Sequence, residues 1–398
     1  MKSPLDGIVV LDLTRVLSGP MCCVILEDLG AEVIKVEMPE TGDDSRAYGP
    51  YINKQSLYFM TANRGKKSIG LNLKTEGGKE ILKALVKKAD VLVENYRPGV
   101  MEKLGLGYDV LKEINPRLVY GAISGFGTTG PDSKRAAYDV LVQAESGLMS
   151  ITGIEGQPPV RVGYSVADIN GALFCAIGIN AALYQREKTG LGQKIDIAML
   201  DCQLSVLESA LSRYIVNGVS PKPLGNVHPT ITPFQGFKAS DHWFVIAAGN
   251  DNLYARMCNA IGAPQLITDP RFITNWDRSQ HLKEIGEELQ AVFGTKTMQE
   301  WLDILDGVGV PCAPVNDMEM VTKDRQLIAR NMFVKCKDPY AGDVIVPGNP
   351  IKMTNIEEKD WREAPPQVNQ HKDEILSRFT DFTPEQIAAF EEGGTFRK

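Results

Sequence analysis

The chain has 398 residues, more than one small hydrophobic core accommodates, so two domains are expected. Hydrophobic residues at 43% and charged residues at 23% are ordinary for a folded globular protein and exclude a disordered or fibrous chain. A formal net charge of −7 argues against nucleic-acid binding, while leaving room for a local basic patch that receives a nucleotide-like polyanion.

Residues 7–13 (GIVVLDL) read as a buried strand, 21–29 as an apolar helix stopped by Gly30, and 31–37 (AEVIKVE) as a second strand. Strand, helix and strand within roughly thirty residues predict the βαβ unit of an open α/β sheet. The turn between them, TRVLSGP at 14–20, is not G-x-G-x-x-G, which sets aside a nicotinamide dinucleotide. Residues 39–51 (PETGDDSRAYGPY) read as an exposed loop. Further strands are expected at 68–73, 91–94 and 118–123, an amphipathic helix at 75–89, and short helical pieces at 100–104 and 108–115. Strand ends run into loops at 15–19, 95–99 and 124–131, and open α/β sheets bind ligands at such ends.

The stretch 166–190 (VADINGALFCAIGINAALYQREKTG) reads as a buried helix with both ends marked. Asp168 is expected as its N-cap, Arg186 and Lys188 fall in the last turn, and Gly190 supplies the left-handed stop. Gly178 and Asn180 interrupt its apolar run before the roughly 18 residues that a membrane span needs, and no leader-like segment precedes the first strand. A strand at 194–198 and a helix at 200–216 follow, and then Asn, Gly, Ser and Pro cluster at 218–225 as a linker. Strand signals at 234–238 and 243–248, with helices at 253–261, 280–293 and 298–308, predict a smaller α+β domain. The chain leaves it near 311–316 and 332–339, and a last amphipathic helix is expected near 384–392.

The seven cysteines, Cys22, Cys23, Cys175, Cys202, Cys258, Cys312 and Cys336, are scattered and form no CxxC pair, the pattern of a reduced cytoplasmic protein. The four histidines, His228, His242, His281 and His371, lack HxxxH or HExxH spacing, so no metal site is expected. Asp168 carries two roles at once. A carboxylate at a helix N-terminus caps free N–H groups, and its anionic form is favoured by the macrodipole, which suits a nucleophile.

With these residues laid out, the chain resembles the class III coenzyme A transferases, the formyl-CoA:oxalate and carnitine CoA-transferase family, which also holds the α-methylacyl-CoA racemases. The likeness spans essentially the whole length. It rests on GAEVIKVE with GDDSR, VENYRPGVMEKLGLGYDVLKEINPRLVYGAISGFGTTGP, AYDVLVQAESGLMSITG and VADINGAL…REKTGLGQ, in that order. Within the family, LGNVHPTITPF, AAGND and VPGNPIK carry a nearer likeness to members that move CoA onto small dicarboxylates, such as acetyl-CoA:oxalate and succinyl-CoA:glutarate CoA-transferases. The resemblance implies a large Rossmann-like domain from both chain ends (1–217 and 330–398), a small α+β domain from the middle (218–329), and an interlocked homodimer. It also implies acyl-CoA and a small carboxylic acid as substrates, with no tightly bound cofactor, nucleic acid or membrane partner.

Carried over residue by residue, the family's nucleophilic aspartate falls on Asp168. Arg15, Val16 and Leu17 match positions lining the CoA pocket. Asn72, Leu73 and Lys74, with Asn95, Tyr96 and Arg97, match the segments that hold the adenine-ribose end, and Lys103 lies near the phosphates. Arg135 and Tyr138 match positions beside the thioester. Met38 departs from the oxalate-specific relatives, which carry arginine there, and their run of four glycines has no counterpart in the middle domain.

The chemistry separates three readings. Transfer of CoA to a carboxylate needs an ionised nucleophile, oxyanion donors and exclusion of water, but no general base. Gly249–Asp251 is the candidate segment for the oxyanion donors. Racemisation needs a partner base, which family racemases place upstream of the aspartate as histidine. This chain has Ala137, Tyr138 and Asp139 there, and tyrosine is a poor base at neutral pH. A CoA-binding protein without turnover is the third reading. Arg15 reads as an anion ligand or as an ion-pair partner of Glu37 or Asp43. Glu145 reads as a member of an Asp168 network or as a surface residue, and His228 as a dicarboxylate contact or a turn residue.

Overall fold

A computed structural model describes residues 2–397. Two compact units divide the chain: the first runs to Met149 and includes Arg161–Val216 and everything from Arg325 on, and the second holds Ser150–Val160 and Asn217–Asp324.

The first unit is mixed α/β. Its sheet contains β1 (Val9–Asp12), β2 (Glu32–Glu37), β5 (Lys67–Gly70), β6 (Val91–Glu94), β7 (Val119–Ser124) and β8 (Lys194–Ala198), in the spatial order β5-β2-β1-β6-β7-β8. Every neighbouring pair is parallel. A small hairpin, β3 (Tyr51–Ile52) with β4 (Gln55–Ser56), interrupts the run after β2. Counted along the chain without that hairpin, the order is third, second, first, fourth, fifth, sixth. That is the doubly wound arrangement, whose direction of winding reverses between β1 and β6. Helices α1 (Ser18–Asp28), α2 (Leu57–Asn63), α3 (Glu76–Lys88), α4 (Val100–Lys103), α5 (Tyr108–Ile114), α6 (Asp139–Glu145), the single turn α7 (Leu148–Ile151) and α8 (Val166–Thr189) complete the first two hundred residues with their connections.

Burial on both faces explains the apolar texture of the strands. One core layer joins Leu11, Ile34, Ile69 and Leu92 with α3 residues Ile81, Leu82 and Leu85. The opposite layer joins Val10, Val33, Val91 and Ile123 with Cys22, Cys175 and Ile179 of α1 and α8. Helix α8 lies tight on β7 and β8 because small residues face one another. A Cβ on Gly121 would stand 3.0 Å from Cys175 Sγ, and one on Gly178 would stand 3.0 Å from a methyl of Ile195. Gly190 closes the helix at φ +75°, as its sequence position predicts, and Arg186 is drawn inward to Asp90 at 3.0 Å. By length and composition α8 is apolar enough to cross a membrane, and it packs most extensively on α1, α9 (Met199–Ser205) and β7.

Two expectations need correction here. The helix expected over 200–216 is two helices, α9 and α10 (Ser209–Asn217), separated by Glu208 in the left-handed region at φ +51°. The segment after residue 51, given no helix from sequence, forms α2, whose cap Ser56 accepts a hydrogen bond from Phe59 N–H at 3.0 Å. The C-terminal part of the unit pairs β12 (Phe333–Asp338) with β13 (Gly342–Pro347) and β14 (Trp361–Glu363), and its helix Lys372–Phe379 adds Ile375, Leu376 and Phe379 to the first core layer.

In the second unit, antiparallel strands β9 (Phe234–Lys238), β10 (Trp243–Ala247) and β11 (Cys312–Pro314) pack against helices Leu282–Phe293 and Met298–Gly307. Phe293 makes aromatic contacts with Phe237, Phe244 and Trp301 at its centre. Fully buried Arg278 donates to the carbonyls of Thr232, Phe272 and Gly249 and to the Asp251 carboxylate. Gly249–Asp251 is therefore a clamped turn of this unit, since Arg278 holds both of its ends.

Candidate active site

A cavity of about 750 Å³ opens at the carboxyl ends of the sheet, over the point where the winding reverses. The loop after β1 contributes Arg15, Val16 and Leu17 to its lining, the loop after β5 Leu73 and Lys74, and the loop after β6 Asn95, Tyr96 and Arg97. Arg135 and Tyr138 enter from the segment before α6, and Asp168 from the first turn of α8. Eleven of the thirteen residues singled out from sequence thus share one cavity. The other two lie outside its lining. Asn72 braces the neighbouring turn, accepting from Lys74 N–H at 3.1 Å and donating to the Arg397 carbonyl at 3.3 Å, and Lys103 is an exposed residue at the end of α4.

Asp168 is not the N-cap. The cap position is Ser165, and Asp168 is the third residue of the helix, one turn inside the expected place. The capping function has passed to Asp139 of α6, whose Oδ1 accepts from Ala167 N–H at 2.8 Å while its Oδ2 accepts from Gln143 Nε2 at 2.7 Å. Gln143 Oε1 in turn accepts from Val162 N–H at 2.9 Å, so a buried amide and carboxylate fix the entry to α8. Asp139 therefore brings a second negative charge to the end of the helix where Asp168 sits.

The electrostatic consequence reverses the expectation that the helix keeps Asp168 fully ionised. Burial, and then the charge of Asp139, push the Asp168 carboxyl up from 3.8 to about 7. A helix terminus contributes at most about 2 kcal/mol, and desolvation of a carboxylate outweighs it. Among the described residues, no hydrogen bond reaches the Asp168 carboxylate to offset that cost. The field of Asp168 extends to Tyr58 of α2, whose hydroxyl is pushed up to about 12 by burial first and by Asp168 second.

The cavity carries cations as well. Arg15 pairs with Asp44 instead of Glu37 or Asp43, and Arg46 takes Glu37 at 2.7 Å. Arg135 lies over the Phe126 ring and pairs with Glu145 at 2.5 Å and Asp132 at 3.3 Å, which assigns Glu145 to Arg135 and not to Asp168. Lys74 and Arg97 are exposed at the rim, with no ion pair among the described residues. Tyr138 is 71% exposed and caps α6 through its backbone, so it is a rim residue. His228 lies in the second unit, where its Nδ1 accepts from Thr230 and Ile231 N–H, the bonding of a turn residue. No histidine lines the cavity among the described residues.

Sequence reading gave no part in the site to Asp139, to Tyr58 or to the buried pair Lys35 and Asp43. Lys35 had a signal, a lysine in the middle of the apolar strand AEVIKVE that both sheet faces bury. Asp139 and Tyr58 had none, since their importance depends on which helices the fold brings together.

A family model described as CoA-transferase family III matches residues 5–372. The chain is 46% identical over 379 residues to the acetyl-CoA:oxalate CoA-transferase of Acetobacter aceti, covering 95% of this chain and 96% of that one. It is 40% identical over 374 residues to the succinyl-CoA:glutarate CoA-transferase of Mus musculus, covering 94% and 86%. A solved CAIB/BAIF family protein from Brucella suis superposes with a TM-score of 0.84 at 39% identity, over 95% of this chain and 100% of that one. The chain belongs to CoA-transferase family III. It is an enzyme of that class, and such enzymes use CoA thioesters as substrates.

Proposed function

We propose that this enzyme moves CoA from an acyl-CoA donor to a small dicarboxylic acid, with Asp168 as the covalent relay. The observation that carries the reading is the placement of a half-buried carboxylate, without a hydrogen bond among the described residues, in a cavity at the winding reversal whose rim carries cations suited to phosphate. The names of the relatives in Acetobacter aceti and Mus musculus support oxalate-like and glutarate-like acceptors.

The reaction is close to thermoneutral, so the barrier is kinetic. An Asp168 oxygen attacks the donor thioester carbonyl, the C–S bond breaks, and CoA thiolate leaves a mixed anhydride. The thiolate then attacks the aspartyl carbonyl, releasing the donor acid and leaving an aspartyl-CoA thioester. The acceptor carboxylate attacks that carbonyl and expels the thiolate. The thiolate finally attacks the acceptor carbonyl of the new anhydride, giving acceptor acyl-CoA and the Asp168 carboxylate again. Burial supports this role twice over: a carboxylate whose proton affinity is raised is a stronger nucleophile, and a desolvated site slows hydrolysis of the anhydride. Lys74 and Arg97 are suited to the phosphates, and Arg15 and Arg135 to carboxylates. Racemisation is the weaker reading, because the lining offers no histidine to exchange an α-proton.

A matrix of acyl-CoA donors against short mono- and dicarboxylates, read by mass spectrometry, tests the assignment. Transfer to two-to-six-carbon dicarboxylates is the expected result. Efficient transfer to monocarboxylates alone, or α-proton exchange in deuterated water without transfer, rejects it.

We also propose a homodimer, interlocked as the family resemblance implies. Leu173, Ile177 and Tyr184 are 45%, 64% and 67% exposed along one side of α8, an apolar face of the kind that a second copy covers. Light scattering should give twice the monomer mass of 43.7 kDa. A monomeric species with full activity would remove the dimer from the proposal.

A further inference from the structure

The loop between β1 and α1 has one backbone bond to the sheet, from Leu13 N–H to the Val93 carbonyl at 2.9 Å, and beyond it side chains grip the backbone of Thr14, Arg15 and Val16. Asn95 takes both sides of Arg15, accepting from its N–H at 2.8 Å and donating to its carbonyl at 2.8 Å. Lys35 Nζ donates to the Thr14 carbonyl at 3.0 Å, and the Asp43 carboxylate accepts from Val16 N–H at 3.1 Å. Lys35 and Asp43 are themselves paired at 2.9 Å, with both side chains fully buried. Asp43 is locked further by Ser45, whose N–H and hydroxyl donate to it at 2.9 and 2.8 Å.

What this grip holds is unusual. Val16 lies at φ +67°, in the left-handed region, where a β-branched side chain is a genuine outlier. Arg15, Val16 and Leu17 all line the cavity, so the backbone reversal at Val16 sets which way the three side chains are presented. Left to its own preference, a valine would return to negative φ and carry Leu17 and the start of α1 to a different place. Strain of this kind persists only where the surroundings over-determine it.

We propose that Asp43, backed by Lys35, is a positioning residue for the acyl-CoA site: it holds Val16 in the left-handed conformation and so fixes the loop against which the CoA thioester lies. The inference rests on reading the cavity as the acyl-CoA site. Asp43 touches no reacting atom and acts only through the loop. Since the loop contacts the part of the substrate common to ground and transition states, its loosening raises KM and spares kcat.

The test compares the effect of Asp43→Asn in the wild-type background and in the V16G background, measuring kcat and KM for acyl-CoA. Asparagine keeps one acceptor oxygen and removes the charge that Lys35 holds. Glycine adopts positive φ freely, so the loop no longer needs to be forced. The expected result is a KM raised about tenfold by D43N in the wild-type background, on the scale of one weakened charge-assisted hydrogen bond, and by less than about threefold in the V16G background. A crystal structure of D43N should show Val16 departing from φ +67°. An equal factor in both backgrounds, or a loss confined to kcat, overturns the proposal. Should D43N not fold, Asn95→Ala against the same two backgrounds gives the same comparison from the other grip on the loop. A D168N enzyme that still turns over would instead defeat the reading of the cavity, which keeps the two failures apart.

Discussion

Replacing Asp168 with asparagine is expected to lower acyl transfer by at least about a thousandfold, the scale on which covalent nucleophiles act, and to make the protein more stable at pH 8. The first effect follows from removing the oxygen that forms the anhydride. The second follows from the sign of the shift. In the folded chain the carboxyl is raised from 3.8 to about 7 by burial and then by Asp139. A raised carboxyl contributes stability that is complete below its unfolded value and is lost as pH rises through the folded one. Above pH 7 the wild type therefore holds an uncomfortable charge that D168N lacks. Three units would correspond to about 4 kcal/mol, and solvent that reaches the carboxylate through the cavity reduces this to about 1–2 kcal/mol. The gap in Tm should close at pH 4, where wild type is protonated when folded. The same carboxyl sets the pH dependence of catalysis: kcat/KM should climb with pH to a plateau above about 7, and Asp139→Asn, by removing the neighbouring charge, should move the rise to lower pH. Hydroxylamine trapping during turnover should mark residue 168 in wild type only. A D168N enzyme that retains turnover, or one that melts at the wild-type temperature at pH 8, contradicts the assignment.

The pattern of that result also bears on what the sequence could disclose. Periodicity located the central strands because the sheet is parallel and buried on both faces there, which leaves continuous apolar runs at 9–11 and 91–93. The helix after β5 was legible from its amphipathic stripe, and the structure makes Thr75, the first residue of the expected range, its cap. The connections after β1, β5 and β6 were legible as strand-end loops, and ten residues that the family resemblance singled out on the connections line one cavity together with Asp168 of α8. What failed was anything set by how helices meet. Asp168 looked like a cap because it precedes an apolar run, but the chain turns helical at Val166, and Asp139, 29 residues earlier and on another helix, takes the cap. With that exchange the electrostatic argument changes sign, from an aspartate favoured as an anion to one that resists ionisation. Similarly, Arg15 read as an ion-pair partner of Glu37 or Asp43, and only the three-dimensional path of the loop assigns Asp43 to Lys35 and Asp44 to Arg15. Glu208 shows the same limit from the other side: the helix breaks there by a single left-handed residue, which no glycine or proline marks.

Replacing Asp12 with alanine is expected to be the most damaging single change to stability. Its side chain is fully buried between two fully buried lysines, 2.7 Å from Lys66 Nζ and 3.9 Å from Lys35 Nζ, and it also accepts from Thr14 N–H at 2.9 Å. Burial pushes this carboxyl up, and Lys35 and Lys66 more than reverse the effect, leaving it at about 2. Alanine leaves the two ammonium groups with a deficit of charge. Lys66 keeps the Pro20 carbonyl and the Asn63 side chain at 3.0 Å each, and Lys35 keeps Asp43. Removing one partner from a buried ion cluster costs about 3–5 kcal/mol, which for a unit of this size lowers Tm by roughly 10 °C. Asp12→Asn separates charge from shape, because its amide oxygen still accepts from Thr14, and its cost should depend on pH in a defined direction. The depressed carboxyl contributes stability that is present above its unfolded value of 3.8 and is lost as pH falls toward about 2. The gap between wild type and D12N is therefore expected to be on the order of 2 kcal/mol at pH 7 and to shrink steadily between pH 4 and pH 2, as thermal melts across that range would record. Because Lys35 also holds the Thr14 carbonyl, the folded fraction of D12N should bind acyl-CoA more weakly than wild type. A D12A protein within about 1 kcal/mol of wild type would mean that Asp43, Asn63 and the two carbonyls alone satisfy both lysines, and the β1 loop would then owe its shape to Asp43 and Asn95 without help from the strand beneath.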